Sequence, residues 1–136
     1  MASIDTREEL ICGNVYSCSD ISKIHKIRNG IYQRNGHLVS LLTDFGRHNP
    51  CYPDKHGNSA GTILYTGNGR RGDQKLDAQN RALIDARTSE IAVPLFNKLD
   101  PGQWEFLGYW RVVESRYIFE EQQSRMVWKS ALSREE

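Results

Sequence analysis

Residues 65–83 run YTGNGRRGDQKLDAQNRAL, and the reading of this stretch decides the fold. Gly67, Gly69 and Gly72 spell G-x-G-x-x-G, after an apparent strand GTILYT (61–66) and before residues of helical character. A dinucleotide-binding loop has this local context: glycines for a tight turn, then a helix whose N-terminus receives a pyrophosphate. It also needs a second, parallel βα unit and an acid roughly 20 residues on to hold the ribose. Glu90 stands near that distance, but the chain beyond it has the character of antiparallel β. Asp73, directly after the last glycine, would put a carboxylate where the phosphate should lie. A Walker-type G-x-x-x-x-G-K-[ST] is absent, because Asp73 follows Gly72. On the residues alone, the glycines are better explained as a tight strand-to-helix turn needing positive φ. A nucleotide-binding enzyme using Gly67–Gly72 stays as an alternative.

Outward from this stretch, short apolar or β-branched runs bounded by turn residues predict strands. These are HLVSLLT (37–43), EIAVPLF (90–96), QWEFLGYWRVV (103–113), SRYIFE (115–120) and RMVWKSAL (125–132), with LDPGQ (99–103) as a turn. In WEFLGYWRVV, Trp104, Phe106, Trp110 and Val112 alternate onto one face, as suits a strand with one side on a core. A helix is expected from Asp73 to Arg87, with Asp73 as N-cap and Leu76, Leu83 and Ile84 on its apolar stripe. A short helix is expected around SDISKIHKI (19–27). The segment DFGRHNPCYPDKHGNSA (44–60) is long for a structureless connection, and such segments are usually functional or mobile. Consecutive strands outnumbering helices predict an α+β, mainly β domain: a small curved barrel with one or two flanking helices.

Composition sets limits. A chain of 136 residues is one domain by length, residues 1–136, and large enough for a core without staples. With 18 basic and 17 acidic residues, no bulk charge advertises nucleic acid, although a local basic patch would suffice. Three cysteines (Cys12, Cys18, Cys51) cannot pair completely and form no C-x-x-C, which suits reduced thiols in the cytoplasm. No apolar run approaches the ~20 residues of a membrane span, and the opening MASIDTREEL is acidic, unlike a secretory leader. His48, Cys51 and His56 lie close in sequence but lack the spacing of a metal site, so no metal or other cofactor is expected. HNPCYPDKHGN contains His and Asn as an HNH nuclease would, without its second metal-ligating half. No nucleophile–base order stands out either, so a binding module is expected and not an enzyme.

The residues Tyr65, Thr66, Gly67, Gly69, Asp73, Gln74, Leu76, Asn80, Ala82 and Leu83 fall where the SRA (SET- and RING-associated, or YDG) family has Y-T-G-x-G, a variable loop, D-Q-x-L and N-x-A-L. The chain resembles that family over nearly its whole length. NGIYQRNGHLVSLL (29–42) is similar to its G-I-x-x-R segment, and CYPD (51–54) occupies the place of its pocket segment. GNVYSCSDI (13–21), FLGYWRVVES and RMVWKSAL resemble prokaryotic members, which are often attached to nucleases that cut modified DNA. The resemblance implies a PUA-like barrel that binds double-stranded DNA and holds one modified cytosine, 5-methylcytosine or 5-hydroxymethylcytosine, flipped out of the helix. It places Tyr52 and Tyr65 as the aromatics enclosing the base, Asp54 as the acid on its Watson–Crick edge, and Thr66 and Gly67 as the wall beside the 5-substituent. Between Gly69 and Asp73 only Arg70, Arg71 and Gly72 stand where eukaryotic members carry a long basic finger. The resemblance therefore carries no reading of the opposite strand to this chain.

Elementary chemistry fits these roles. Taking a base out of the stack costs a few kcal/mol, and stacking on aromatics returns about 1–3 kcal/mol per base. A carboxylate selects the N4 amino donor of cytosine, and a small apolar recess adds about 1–3 kcal/mol for a methyl-sized difference. Arg28 and Arg34 in one loop region and Arg70, Arg71 and Lys75 in another would make a phosphate clamp if they face the same way. Gly69, Asp73 and Asn80 are expected to support the glycine loop, Asn80 by satisfying its backbone groups. The bland alternatives are Tyr65 as a core aromatic, Tyr52 and Asp54 as turn residues, and the charged loops as solvated surface. A PUA-like module for RNA is the other binding alternative.

Overall fold

A computed structural model describes residues 10–135; the opening segment read above as unlike a leader lies, but for its last residue, outside the described residues. In chain order the elements are β1 (Val15–Tyr16), α1 (Cys18–Ile21), β2 (Ile31–Arg34), β3 (His37–Thr43), β4 (Lys55–His56), β5 (Thr62–Thr66), α2 (Ala78–Asp85), β6 (Val93–Asp100), β7 (Gln103–Glu120) and β8 (Arg125–Arg134). One sheet runs β2-β3-β6-β7-β8-β5-β4, with β1 added to β7. Only β3 and β6 pair in parallel among these strands, and α2 lies in the crossover between them.

The sheet is strongly curved. β5 and β3 are four places apart in the strand order, which in a flat sheet means roughly 19 Å at the usual spacing. Yet the Tyr65 hydroxyl on β5 donates to the carbonyl of Leu42 on β3 at 2.7 Å and to that of Gly30 at 3.1 Å. The sheet has rolled so that these strands face one another across an interior, while no ladder joins the outer strands β2 and β4. Inside sits the main core of Ile31, Leu41, Ile63, Tyr65, Leu83, Val93, Leu95, Trp110, Val112 and Leu132. A second cluster of Ile21, Phe96 and Phe106 is closed by α1; successive residues Leu95 and Phe96 serve different clusters, as strand alternation requires. The mainly β, barrel-like architecture with two flanking helices is the one expected from the sequence.

Several boundaries differ. QWEFLGYWRVV and SRYIFE form one strand of 18 residues, kept continuous by pairing with β8, with an irregularity between Val112 and Glu114 absorbing the break. β6 begins at Val93 because Glu90 takes φ 58°, which ends any strand there. Helix α2 begins at Ala78 with Asp77 as N-cap, accepting from the Asn80 N–H at 2.8 Å. The expected N-cap, Asp73, instead accepts from the Met126 N–H on β8 at 2.8 Å. Gln74–Asp77 is consequently not helical, and Leu76, expected on the apolar stripe, is exposed. The N-terminal helix is the single turn Cys18–Ile21, held by a capping box between Ser17 and Asp20.

Candidate nucleic-acid interface

Residues 44–54 leave β3 without regular structure and are shaped by side chains. The buried Asp44 carboxylate accepts from the N–H groups of Gly46, His48 and Asn49 at 2.8–3.1 Å, and from the Asn49 side chain at 3.1 Å. This folds the chain into a knob that delivers Tyr52 and Asp54 to a cleft. Asp54 is 6% exposed. Its carboxylate accepts from the Thr43 hydroxyl at 2.6 Å and from the Thr66 N–H at 2.5 Å. A carboxylate has about four lone-pair sites, so acceptor capacity remains beyond these bonds and that of the Thr66 side chain. The expected 44–60 connection is therefore ordered, and its end pairs as β4 with β5.

The cleft has a volume of about 1080 Å³ and is lined by Tyr52, Asp54, Tyr65, Thr66 and Gly67 together with Gly69, Arg28 and Arg70. The sequence-predicted pocket residues thus share one wall system. Tyr65 is buried, and its two bonds to backbone carbonyls fix the ring there; Gly30 leaves the room, since a Cβ would stand 3.1 Å from the phenol oxygen. Tyr52 is half-buried, and its hydroxyl lies 3.4 Å from the Gly69 N–H. Of the five expected cations, Arg28 and Arg70 line the cleft, with Lys98 added. Arg34 turns to the Tyr32 hydroxyl at 3.0 Å, and Arg71 and Lys75 lie off the cleft. The two loops do meet: the Asn29 side chain donates to that of Asn68 at 2.8 Å.

The glycine loop is closed on itself. The Gly67 N–H donates to Trp128 and the Asn68 N–H to the Asn80 side chain at 2.7 Å. The fully buried Asn80 amide donates to the carbonyls of Asn68 and Lys75, as expected of a loop support. Gln74 donates to the carbonyls of Gly67 and Gly69 and accepts from the Trp128 N–H. Gly67 is required by packing: a Cβ would come within 2.7 Å of Asn80 and 2.9 Å of Gln74 and Trp128. With those amides spent internally and no helix starting at the loop, the phosphate cradle of a dinucleotide site is not built here.

Burial dominates the electrostatics. It pushes the Asp54 carboxyl up to about 6, against the opposing pull of the Thr43 and Thr66 hydrogen bonds and the Lys129 charge. It also raises Tyr65 well above, and Tyr52 above, the usual phenol value. His25 is lowered by burial; its ring nitrogens lie 2.7 Å from the Ser40 hydroxyl and 2.5 Å from the Asn29 carbonyl oxygen.

A family model described as the ScoMcrA-like SRA domain matches residues 20–132. The chain belongs to this family. Solved structures agree on the SRA fold. The SUVH5 SRA domain in complex with hemimethylated CG DNA is 22% identical, with 93% of this chain and 94% of that chain covered at a TM-score of 0.72. KRYPTONITE in complex with mCHG DNA is 18% identical, with 93% of this chain and 32% of that one covered at 0.74. The modification-dependent TagI restriction endonuclease is 20% identical, with 92% and 50% covered at 0.72. No curated protein matches the chain by sequence.

Sequence reasoning did not find four residues that shape this SRA cleft. His25 ties α1's end to β3 and to Asn29, and Gln74 shapes the glycine loop. Arg125 donates to the carbonyls of Cys51, Gly69 and Gly72, and Lys129 to the Pro53 carbonyl and the Thr66 hydroxyl. Gln74 stood within the quoted motif; the other three carried no signal beyond their type.

Proposed function

We propose that this SRA domain binds double-stranded DNA containing modified cytosine, 5-methylcytosine or 5-hydroxymethylcytosine, by taking the base out of the stack into the cleft. The observation that carries the reading is the buried Asp54 carboxylate, with acceptor sites to spare, in a cleft shared by Tyr52 and Tyr65. The tyrosines supply stacking faces, Asp54 accepts from the cytosine N4 amino group, and Thr66 and Gly67 border the 5-substituent. Arg28, Arg70 and Lys98 neutralise phosphates at the rim, with Arg34, Arg71 and Lys75 further out. The SUVH5 SRA domain has been solved with hemimethylated and with fully hydroxymethylated CG DNA, which supports the ligand class. The domain reads and does not cut. Its likeness to about half of the TagI endonuclease supports a role in targeting a nuclease domain or subunit to modified DNA, in the bacterial cytoplasm. Among the described residues no helix is long and apolar enough to cross a membrane.

The test is fluorescence anisotropy at fixed salt on identical duplexes carrying cytosine, 5-methylcytosine or 5-hydroxymethylcytosine. A preference for one modified duplex is expected, and Asp54→Ala should remove it. A charge-assisted hydrogen bond is worth about 1.5–3 kcal/mol, so the loss should be about tenfold or more. Equal binding to all three duplexes would contradict the reading and turn attention to RNA.

A further inference from the structure

Strand β8 buries two cations on one face, Arg125 and Lys129, which are 4% and 8% exposed with the fully buried Val127 between them. Arg125 donates to the Cys51 carbonyl at 2.7 Å, and Lys129 to the Pro53 carbonyl at 3.1 Å. These carbonyls belong to the residues on either side of Tyr52. The cleft wall that holds Tyr52 and Asp54 therefore rests on two buried charges. Lys129 also donates to the Thr66 hydroxyl at 2.7 Å, and Thr66 in turn donates its N–H to Asp54.

Burying a cation is costly, and a neutral donor would serve the same carbonyl and hydroxyl. The charge has one partner in the Glu120 carboxylate at 3.5 Å, and the nearby buried carboxylate of Asp54 supplies a second reason for it. We propose that Lys129 is a specificity-determining positioning residue: it holds the 52–54 segment and keeps Asp54 an anionic acceptor, so that the cleft selects a base edge presenting an amino donor. This rests on the reading that Asp54 meets the base. The directions of the shifts agree: the Lys129 charge draws Asp54 down and Asp54 draws Lys129 up, each against a larger effect of burial.

The groups acting on this pair come from every neighbouring element. Thr43 on β3, and Thr66 and Tyr65 on β5, adjoin Asp54, with Tyr52 in its own loop. Lys129 feels Lys55 on β4 and Glu120 on β7, whose carboxylate is 3.5 Å from its ammonium. Asp44 adds a further negative charge near Tyr65.

The experiment has two arms. In the free protein, the Asp54 carboxyl is titrated by carbon-detected NMR in wild type, Lys129→Gln, Lys129→Arg and Glu120→Gln. The expected result is a midpoint about one pH unit higher in Lys129→Gln, unchanged in Lys129→Arg, and lower in Glu120→Gln, where the ammonium loses its other partner. In the second arm, affinity for the modified duplex is measured across pH 5.5–9, as working conditions of roughly this range bracket the midpoint. Lys129→Gln should lose about eightfold near pH 5.5 and about twofold near pH 7, and match wild type toward pH 9, as a midpoint moved by about one unit requires. An unmoved Asp54 midpoint, or an equal loss of affinity at every pH, would overturn the proposal and leave Lys129 a strut. Should Lys129→Gln not fold, an unmoved midpoint in Glu120→Gln overturns it equally. Should the midpoints move while no duplex is preferred, Lys129 sets the charge of Asp54 as stated, and it is the base-reading role of Asp54, with the specificity claim built on it, that fails.

Discussion

The two irregular segments of the cleft, residues 44–54 and the glycine loop 67–77, are braced by different chemistry. The glycine loop is held by the neutral amides of Asn80 and Gln74, which satisfy its backbone, together with the Arg125 guanidinium on the Gly69 and Gly72 carbonyls and the Asp77 carboxylate, which accepts from the Asn68 side chain at 2.8 Å. The 44–54 segment is held chiefly by charge: Asp44 gathers its turn, and Arg125 and Lys129 fix the carbonyls around Tyr52. Neutral bracing does not respond to pH, whereas charged bracing beside a buried carboxylate does. The first wall is expected to be constant and the second to titrate.

The largest effect should come from breaking the neutral brace. Asn80→Ala leaves the Asn68 N–H and the carbonyls of Asn68 and Lys75 without their partner in a buried site. At about 1–3 kcal/mol for each orphaned group, denaturant melts should show a loss of about 3 kcal/mol or more, with little change between pH 6 and 8, a roughly constant window for such groups. Gly67→Ala follows, at about 1–3 kcal/mol, because its new methyl meets Asn80, Gln74 and Trp128. The same melts check it.

The charged wall should show itself through Asp54. Its carboxyl is raised from 3.8 to about 6 on folding. Folding therefore favours the protonated form; that advantage is whole below the unfolded value and is lost as pH rises through about 6. Asp54→Asn should consequently gain stability relative to wild type between pH 4 and pH 7.5, by on the order of 2 kcal/mol. His25 works in the opposite sense, since its lowered value makes acid destabilising. Comparing the two proteins at each pH cancels that contribution. A parallel pH dependence in both would show that Asp54 is charged at no cost.

The smallest effect concerns the rim. Arg70→Gln should weaken all duplexes alike and reduce the slope of log affinity against log salt by about one. A loss confined to the modified duplex would place Arg70 inside the pocket instead.

Much of this was legible in residues whose signals are local. β3 matches HLVSLLT residue for residue, and β5 and β8 begin within one residue of their apolar runs. The pocket side chains were legible only through the resemblance to the SRA family, which the Y-T-G and Y-P-D segments carry; by local chemistry alone Tyr65 reads as core and Tyr52 and Asp54 as turn residues. The helix start was misread because Asp73 has the chemistry of an N-cap, yet a strand more than fifty residues away offers it an N–H. β8 hides its cations for a related reason. Alternation in RMVWKS would turn Met126 and Trp128 inward and leave Arg125 and Lys129 in water. The structure buries Arg125 and Lys129 and leaves Met126 and Trp128 half-buried, because the irregular 51–54 and glycine segments present bare carbonyls to the cations' face. Only tertiary context creates such a demand.

The most direct test of the account compares one modified cytosine paired with guanine against the same base opposite an abasic site. Extrusion costs a few kcal/mol from a paired site and less from an unpaired one. If the base is taken into the cleft between Tyr52 and Tyr65, the abasic duplex should bind at least about tenfold tighter, and Asp54→Ala should bind both weakly. Equal or weaker binding of the abasic duplex would mean that the modification is read without leaving the helix.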